Sequence, residues 1–165
     1  MSVTVRTAEP GDLERVGELT ALAYVADELI PADHAYVAEL QDAVHRHDHA
    51  TVLVAVEDAP AGQRVLGTIT IATPDSPYAE IAAADELELR MLAVDPGARR
   101  RGIGELLMRA AIERGLGWGA QRVVLSTMTT MAAAQRMYER LGMHRAPERD
   151  WEVEGYSMKV YTVGA

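Results

Sequence analysis

Glu86-Leu87-Glu88-Leu89-Arg90-Met91-Leu92-Ala93-Val94 runs directly into Asp95-Pro96-Gly97-Ala98-Arg99-Arg100-Arg101-Gly102-Ile103-Gly104-Glu105. Strict alternation in the first run predicts a strand from Glu86 to Val94. Leu87, Leu89, Met91 and Ala93 then share one face, and Glu86, Glu88 and Arg90 share the other, which turns apolar only at Leu92 and Val94. Burying unpaired carboxylates is expensive, so Glu86 and Glu88 are expected to face water or a cleft. Ile103, Leu106, Leu107, Ala110 and Ala111 recur at helical spacing and predict a helix from Ile103 to about Gly115. Strand, short loop and helix in this order bring the helix's first unpaired N–H groups out beside the strand's end, a place that suits an anion. Gly102 and Gly104 would leave the backbone bare for a phosphate, and three successive arginines would add multidentate charge.

On either side of this segment the chain divides into short elements. Downstream, Arg122 to Thr127 reads as a strand, Ala132 to Leu141 as a helix, and Trp151 to Val163 as one or two closing strands around Gly155-Tyr156. Upstream, Val3 and Val5 mark an opening strand, and Leu13, Val16, Leu19 and Ala23 mark an amphipathic helix over roughly Pro10 to Ala26. A second helix after Pro31 carries the stripe Val37, Leu40, Val44 and ends in the polar tract His45 to His49. Thr51 to Val56 and Val65 to Ile71 form a hairpin around the turn-rich stretch Glu57 to Arg64, and Thr73 to Asp85 is a connecting loop. With no repeat or linker in view, residues 1–165 read as one mixed α/β domain.

Composition narrows the function. The 165 residues, 48% hydrophobic and 25% charged, suit a soluble globular domain with a real core, built on Leu, Val, Ala and 8 Met without any Phe. The absence of Cys excludes disulfides, thiolate-ligated metals and a thiol nucleophile. No leader or long apolar run is present, so the expected location is cytoplasmic, without membrane contact. A net charge of −9 repels polyanions and favours cationic partners, so no nucleic-acid partner is expected.

The glycine-rich turn excludes two nucleotide sites. A dinucleotide fingerprint needs a third glycine where Leu107 stands, and no Gly-Lys-Ser/Thr occurs for a nucleoside triphosphate. A coenzyme A pyrophosphate site is the remaining well-known use of this geometry. Glu88-Leu89-Arg90-Met91-Leu92-Ala93-Val94-Asp95-Pro96, followed by Arg99-x-x-Gly102-x-Gly104, resembles the acetyl-CoA-binding signature of the GNAT superfamily of N-acetyltransferases. Ala134-x-x-x-Tyr138-Glu139-x-x-Gly142-Met143 is similar to the same family's fourth-helix motif.

The resemblance implies a central, mostly antiparallel twisted sheet of about six to seven strands flanked by about four helices. It implies acetyl-CoA as donor, an amine as acceptor and direct attack on the thioester. The pantetheine arm would lie between the splayed fourth and fifth strands against the backbone of Leu92, Ala93 and Val94, with an N–H near Leu92 polarising the thioester carbonyl. Arg99, Arg100, Arg101, Gly102, Ile103, Gly104 and Glu105 would hold the pyrophosphate. Tyr138, with an ordinary pKa of about 10 against roughly 8.5 for a thiol, would give a proton to the departing thiolate. Its helical stripe with Ala134, Met137 and Leu141 also suits a plain core position. Glu88 is the preferred general base, acting through water, with Glu86 second. Two positions depart from the family: Ser126 stands where some members carry a glutamate, and Met131 where many show Asn.

Other features read more plainly. His45, His47 and His49 alternate on a helical segment, which does not place them on one face, so they read as a solvated helix end and no metal is expected. Trp118 is expected to pack at the exit of the pyrophosphate helix, and Trp151 to line the substrate mouth or begin a strand. Tyr24, Asp27 and Glu28 lie where relatives build acceptor pockets. The acceptor is expected to be a small cationic amine, such as a polyamine, aminoglycoside or amino-acid derivative, with a protein N-terminus as the other candidate. A homodimer would be in keeping with the family, and a non-catalytic acyl-CoA-binding or sensory module is the alternative to an enzyme.

Overall fold

A strand covered by helices on both sides must be apolar on both, and Thr51–Ala59 (β2) is. Val52, Val54 and Val56 enter one core cluster with Leu13, Val16 and Leu19. Leu53 and Ala55 enter another with Leu107, Met108 and Ala111. The computed structural model describes residues 2–26 and 30–164. Around β2 it sets Val3–Thr7 (β1), Gly62–Ala72 (β3), Glu86–Val94 (β4), Arg122–Met128 (β5), His144–Arg145 (β6), Trp151–Val153 (β7) and Tyr156–Gly164 (β8). The strand order is β1-β2-β3-β4-β5-β8-β6, with β7 paired to β8. Leu13–Ala26 (α1), Tyr36–Gln41 (α2) and Ala43–His49 (α3) cover one face. Ile103–Gly117 (α4) covers the other, and Ala132–Arg140 (α5) joins that core through Tyr138. The mixed α/β architecture matches the expectation, with eight strands and five α-helices among the described residues. None of the helices among the described residues is long and apolar enough to cross a membrane.

Two features of the sheet prepare the site. β4 and β5 are parallel neighbours, connected by α4 as a crossover, and their ladder holds only Glu86↔Arg122, Leu87↔Val123 and Glu88↔Val124. Past Glu88 both strands continue without pairing to each other. A bulge also interrupts β4: Thr70 pairs with Arg90 and Thr68 with Ala93, so β4 carries one extra residue there, and Met91 takes φ 57°. The bulge reverses the faces. Met91 packs with Ala21, Leu40 and Ala72 on the α1–α2 side, while Leu92 and Val94 pack toward the core under α4. Strict alternation had assigned these residues the other way, because a bulge leaves no periodic signature in the residue types.

Other differences have equally local causes. Pro10–Asp12 forms a short 3₁₀ turn before α1 rather than its first turn. The expected second helix is broken at Asp42, where ψ is 69° and the side chain caps the N–H of His45. That break turns Val44 out to 59% exposure and brings Ala43 and Arg46 inside. The β2–β3 hairpin is far tighter than the expected loop, since pairing continues to Ala59↔Gly62 and leaves Pro60 and Ala61 as the turn. β6 was not foreseen at all; two residues carry no period.

Candidate active site

A cleft of about 350 Å³ opens between the diverging ends of β4 and β5 and extends under α2 and the β7–β8 turn. Glu88, Leu92 and Tyr138 all line it, together with Tyr24, Glu80 and Arg90. Glu88 is buried, at 1% exposure, and its Oε1 accepts the backbone N–H groups of Glu80, Ile81 and Ala82 at 2.8, 2.8 and 3.0 Å. Those three amides offset the cost of taking the carboxylate out of water. Its Oε2 has no hydrogen-bond partner.

Glu86 has a different place. It is also buried, at 2% exposure, against the expectation that it meets water, and it is not among the residues lining the cleft. Arg149 binds it at 2.8 and 2.9 Å, Arg122 at 2.9 Å and the Ala83 amide at 2.9 Å. Burial alone would raise this carboxyl, but the hydrogen bonds from Arg149, Ala83 and Arg122 outweigh it and hold the pKa down at about 2. With both oxygens engaged, Glu86 ties β4 to the start of β5 and to the turn before β7, and it has no geometry for a base.

Tyr138 sits on α5 at 6% exposure, its ring 5.6 Å from that of Tyr161. Burial pushes its phenol above the ordinary value, a hydrogen bond from Thr127 opposing, so it stays protonated throughout the neutral range. Ser126, at the departing position, lines the cleft and accepts the Trp151 indole N–H at 2.9 Å. Met131 also lines the cleft and is the N-cap of α5; the Thr127 hydroxyl lies 3.6 Å from its sulfur.

At the end of β4 the chain turns sharply. The Asp95 carboxylate accepts the Gly97 N–H at 2.9 Å and pairs with Arg15 at 2.9 Å. Arg100 and Gly102 then take positive φ, 67° and 74°, before α4 begins at Ile103. Gly102 is the N-cap and has no side chain to cap the first amides of α4. A Cβ on Gly104 would meet Val94 at 3.7 Å and Met137 at 3.9 Å, ordinary contacts, so nothing within the protein requires that glycine. Ile103 is buried as the helix's anchor, while Gly104 and Glu105 are half-buried. Arg101 is turned away from the amides: its guanidinium binds the Glu57 carboxylate on β2 at 2.8 Å. Leu92 and Val94 are half-buried and Ala93 buried, paired with Thr68 of β3.

The sequence profile of the Acetyltransferase (GNAT) family matches residues 14–143. The chain belongs to the GNAT acetyltransferase family. Over 129 residues it is 34% identical to the mycothiol acetyltransferase of Mycolicibacterium gilvum, a match that covers 78% of this chain and 37% of that protein. The chain therefore spans little more than a third of that relative's length. Among solved structures, this GNAT domain superposes on a GNAT-family acetyltransferase from Staphylococcus aureus Mu50 with a TM-score of 0.73 at 16% identity, covering 99% of both chains. It superposes equally, at 0.73 and 18% identity, on the yncA protein of Salmonella typhimurium, solved with its cofactor acetyl-CoA, covering 99% of this chain and 94% of that one. At such identities the two structures establish the fold.

Several lining residues escaped the sequence reading. Tyr36 accepts Arg90 at 2.6 Å, and Glu80 pairs with Arg90 at 3.2 Å. Burial raises the phenols of Tyr24 and Tyr36. One signal pointed to the tyrosines: in a chain with 6 Tyr and no Phe, rings occupy positions where the hydroxyl is wanted, and Tyr24, Tyr36, Tyr138 and Tyr156 line this GNAT cleft. Asp27 and Glu28 lie outside the described residues. His45 and His49 do share a face, stacked with ring centroids 4.2 Å apart, and His45 contacts the Tyr78 hydroxyl at 2.5 Å. Trp118 stands 52% exposed just past α4, and Trp151 begins β7.

Proposed function

We propose that this domain, as one unit over residues 1–165, transfers an acetyl group from acetyl-CoA to a primary amine by direct attack on the thioester. The observation that carries the reading is the early end of the β4–β5 ladder at Glu88. Beyond it the two strands part, leaving backbone groups on Leu92, Ala93 and Val94 for an extended arm, with a buried carboxylate on one side and a protonated phenol on the other.

The unsatisfied amides of Gly102 to Glu105 hold the donor's diphosphate, aided by Arg99 and Arg100 at the turn. The Arg101 side chain instead holds that turn against β2 through Glu57. A backbone N–H near Leu92 stabilises the oxyanion as the amine nitrogen adds to the carbonyl carbon. The amine's proton passes to Glu88 through water, the C–S bond breaks, and Tyr138 meets the departing thiolate with its proton. The phenol carries its proton at neutral pH, as that last step requires. Burial makes it a weaker acid than a free phenol and so leaves the transfer to be driven by the thiolate's own confinement in the cleft. No covalent enzyme intermediate is needed, in keeping with the lack of Cys and with Ser126 being engaged by Trp151.

The test combines calorimetry with thiol detection. The protein is expected to bind coenzyme A and acetyl-CoA with measurable heat and to release thiol from acetyl-CoA in the presence of amines. Tyr138→Phe is expected to lower kcat by about 10²-fold while leaving acetyl-CoA affinity within about twofold. Binding without thiol release for any amine would support the acyl-CoA-binding module instead, and no heat with either nucleotide would remove the transferase reading.

A further inference from the structure

The acceptor end of the cleft holds more negative charge than its own side chains neutralise. Glu39, Glu80 and Glu88 line it, and Arg90 is the one Arg or Lys among the described lining residues. Every nitrogen of that guanidinium has a protein partner. Nε pairs with Glu80 at 3.2 Å, one terminal nitrogen donates to the Tyr78 carbonyl at 3.1 Å, and the other donates to the Tyr36 hydroxyl at 2.6 Å. His34, the basic ring at the rim, faces Glu154 at 3.6 Å. The single charge of Arg90, already paired with Glu80, is thus set against the three carboxyl groups of Glu39, Glu80 and Glu88.

The acceptor atoms are in the opposite condition. Glu88, nine-tenths and more buried, lines the same cleft, and its Oε2 has no hydrogen-bond partner. Burial raises the Glu80 carboxyl above its ordinary range, and the nearby charges of Glu88 and Glu39 push it the same way against Arg90. Like charges gathered where water is scarce repel strongly, so a bound cation relieves the site and a bound anion worsens it.

We propose that the acceptor is an amine bearing a second positive charge a short aliphatic span from the reacting nitrogen. The reacting nitrogen sits at Glu88, and the distal cation sits between Glu39 and Glu80. Amines whose second group is a carboxylate or a phosphate are disfavoured by the same arrangement, since the carboxyl groups outnumber Arg90, which is already paired with Glu80. This assignment rests on the transferase reading above.

Acetylation of putrescine, butylamine and γ-aminobutyrate, which share one chain length, tests it. The expected kcat/KM for putrescine exceeds that for butylamine by about tenfold or more, with γ-aminobutyrate below both. Glu39→Gln/Glu80→Gln is expected to bring the putrescine-to-butylamine ratio toward unity. Glu39→Gln alone, on an exposed helical position, should lower that ratio and serves where the double variant does not fold. Butylamine or γ-aminobutyrate equal to or better than putrescine would overturn the proposal and leave the transferase reading standing. If no amine releases thiol, titration of putrescine into the protein decides: heat that Glu39→Gln weakens upholds the cation site, and no heat ends it.

Discussion

Glu88 is held by one oxygen, and the other has no hydrogen-bond partner. The amides of residues 80–82 fix Oε1, so the carboxylate is oriented before any substrate arrives. Glu88→Gln keeps an acceptor oxygen for those amides and removes only the ability to take a proton. Thiol release at neutral pH is therefore expected to fall by about 10²-fold, with recovery toward alkaline pH as the amine loses its proton unaided. A variant with an unaltered pH–rate profile would hand deprotonation to solvent, since Glu86 is locked by Arg149 and Arg122. Glu88 and Tyr138 were legible because each belongs to a periodic element with a recognisable motif. Glu80 was not, for it lies in the aperiodic loop Thr73 to Asp85 and reaches the site only through tertiary packing. Arg90 was visible as a charge on a strand, yet its partner Tyr36 lies 54 residues away and Glu80 sits in the aperiodic loop before the strand.

At the scale of elements, the placement of α4 against the sheet sets the height of the amides proposed to hold the diphosphate above the end of β4. Gly67 on β3 permits that approach. A Cβ there would meet Leu107 Cδ1 at 2.9 Å, the Ala93 carbonyl at 3.0 Å and Ile103 Cγ2 at 3.0 Å. Two of these belong to the first turns of α4 and one to the Ala93 backbone, proposed to lie along the donor's arm. Gly67→Ala is expected to destabilise the fold by about 1–3 kcal/mol in urea denaturation and to weaken coenzyme A binding several-fold in calorimetry. Gly11→Ala, where a Cβ meets nothing within 4 Å, should leave both nearly unchanged, and equal effects from the two would show that α4 is not seated by this contact. The strands and helices themselves were largely readable: β4 has the predicted limits, and α4 begins at the predicted residue. What the pattern could not show were single-residue irregularities. The bulge at Met91 rests on a left-handed backbone that an ordinary residue adopts only under tertiary constraint, the break at Asp42 on a local turn, and each reassigned the faces beyond it.

For the whole molecule, the excess of carboxylates makes stability a function of acid. Glu86 dominates, because its pKa of about 2 lies well below the value of about 4.3 for an unfolded glutamate. A group depressed on folding contributes in full above its unfolded pKa and loses that contribution as pH falls through the folded one. The contribution is about 3 kcal/mol at neutral pH, disappearing between about pH 4.5 and pH 2. Asp150, held low by its hydrogen bond to Arg145, acts in the same direction, while Glu80, raised by burial, acts in the opposite one and loses stability as pH rises. Urea unfolding followed at steps from pH 7 to pH 3 is therefore expected to show a free energy that holds near neutrality and drops steeply below about pH 4.5. Arg149 binds Glu86 and the Ile81 carbonyl together, so Arg149→Ala removes the largest stabiliser of the ionised form without removing the carboxyl itself. In that variant the neutral-pH stability falls and the acid slope becomes shallower, because a buried carboxylate left with only Arg122 and the Ala83 amide holds its charge less firmly. Parallel loss in variant and wild type across the acid range would place the titrating group elsewhere than Glu86.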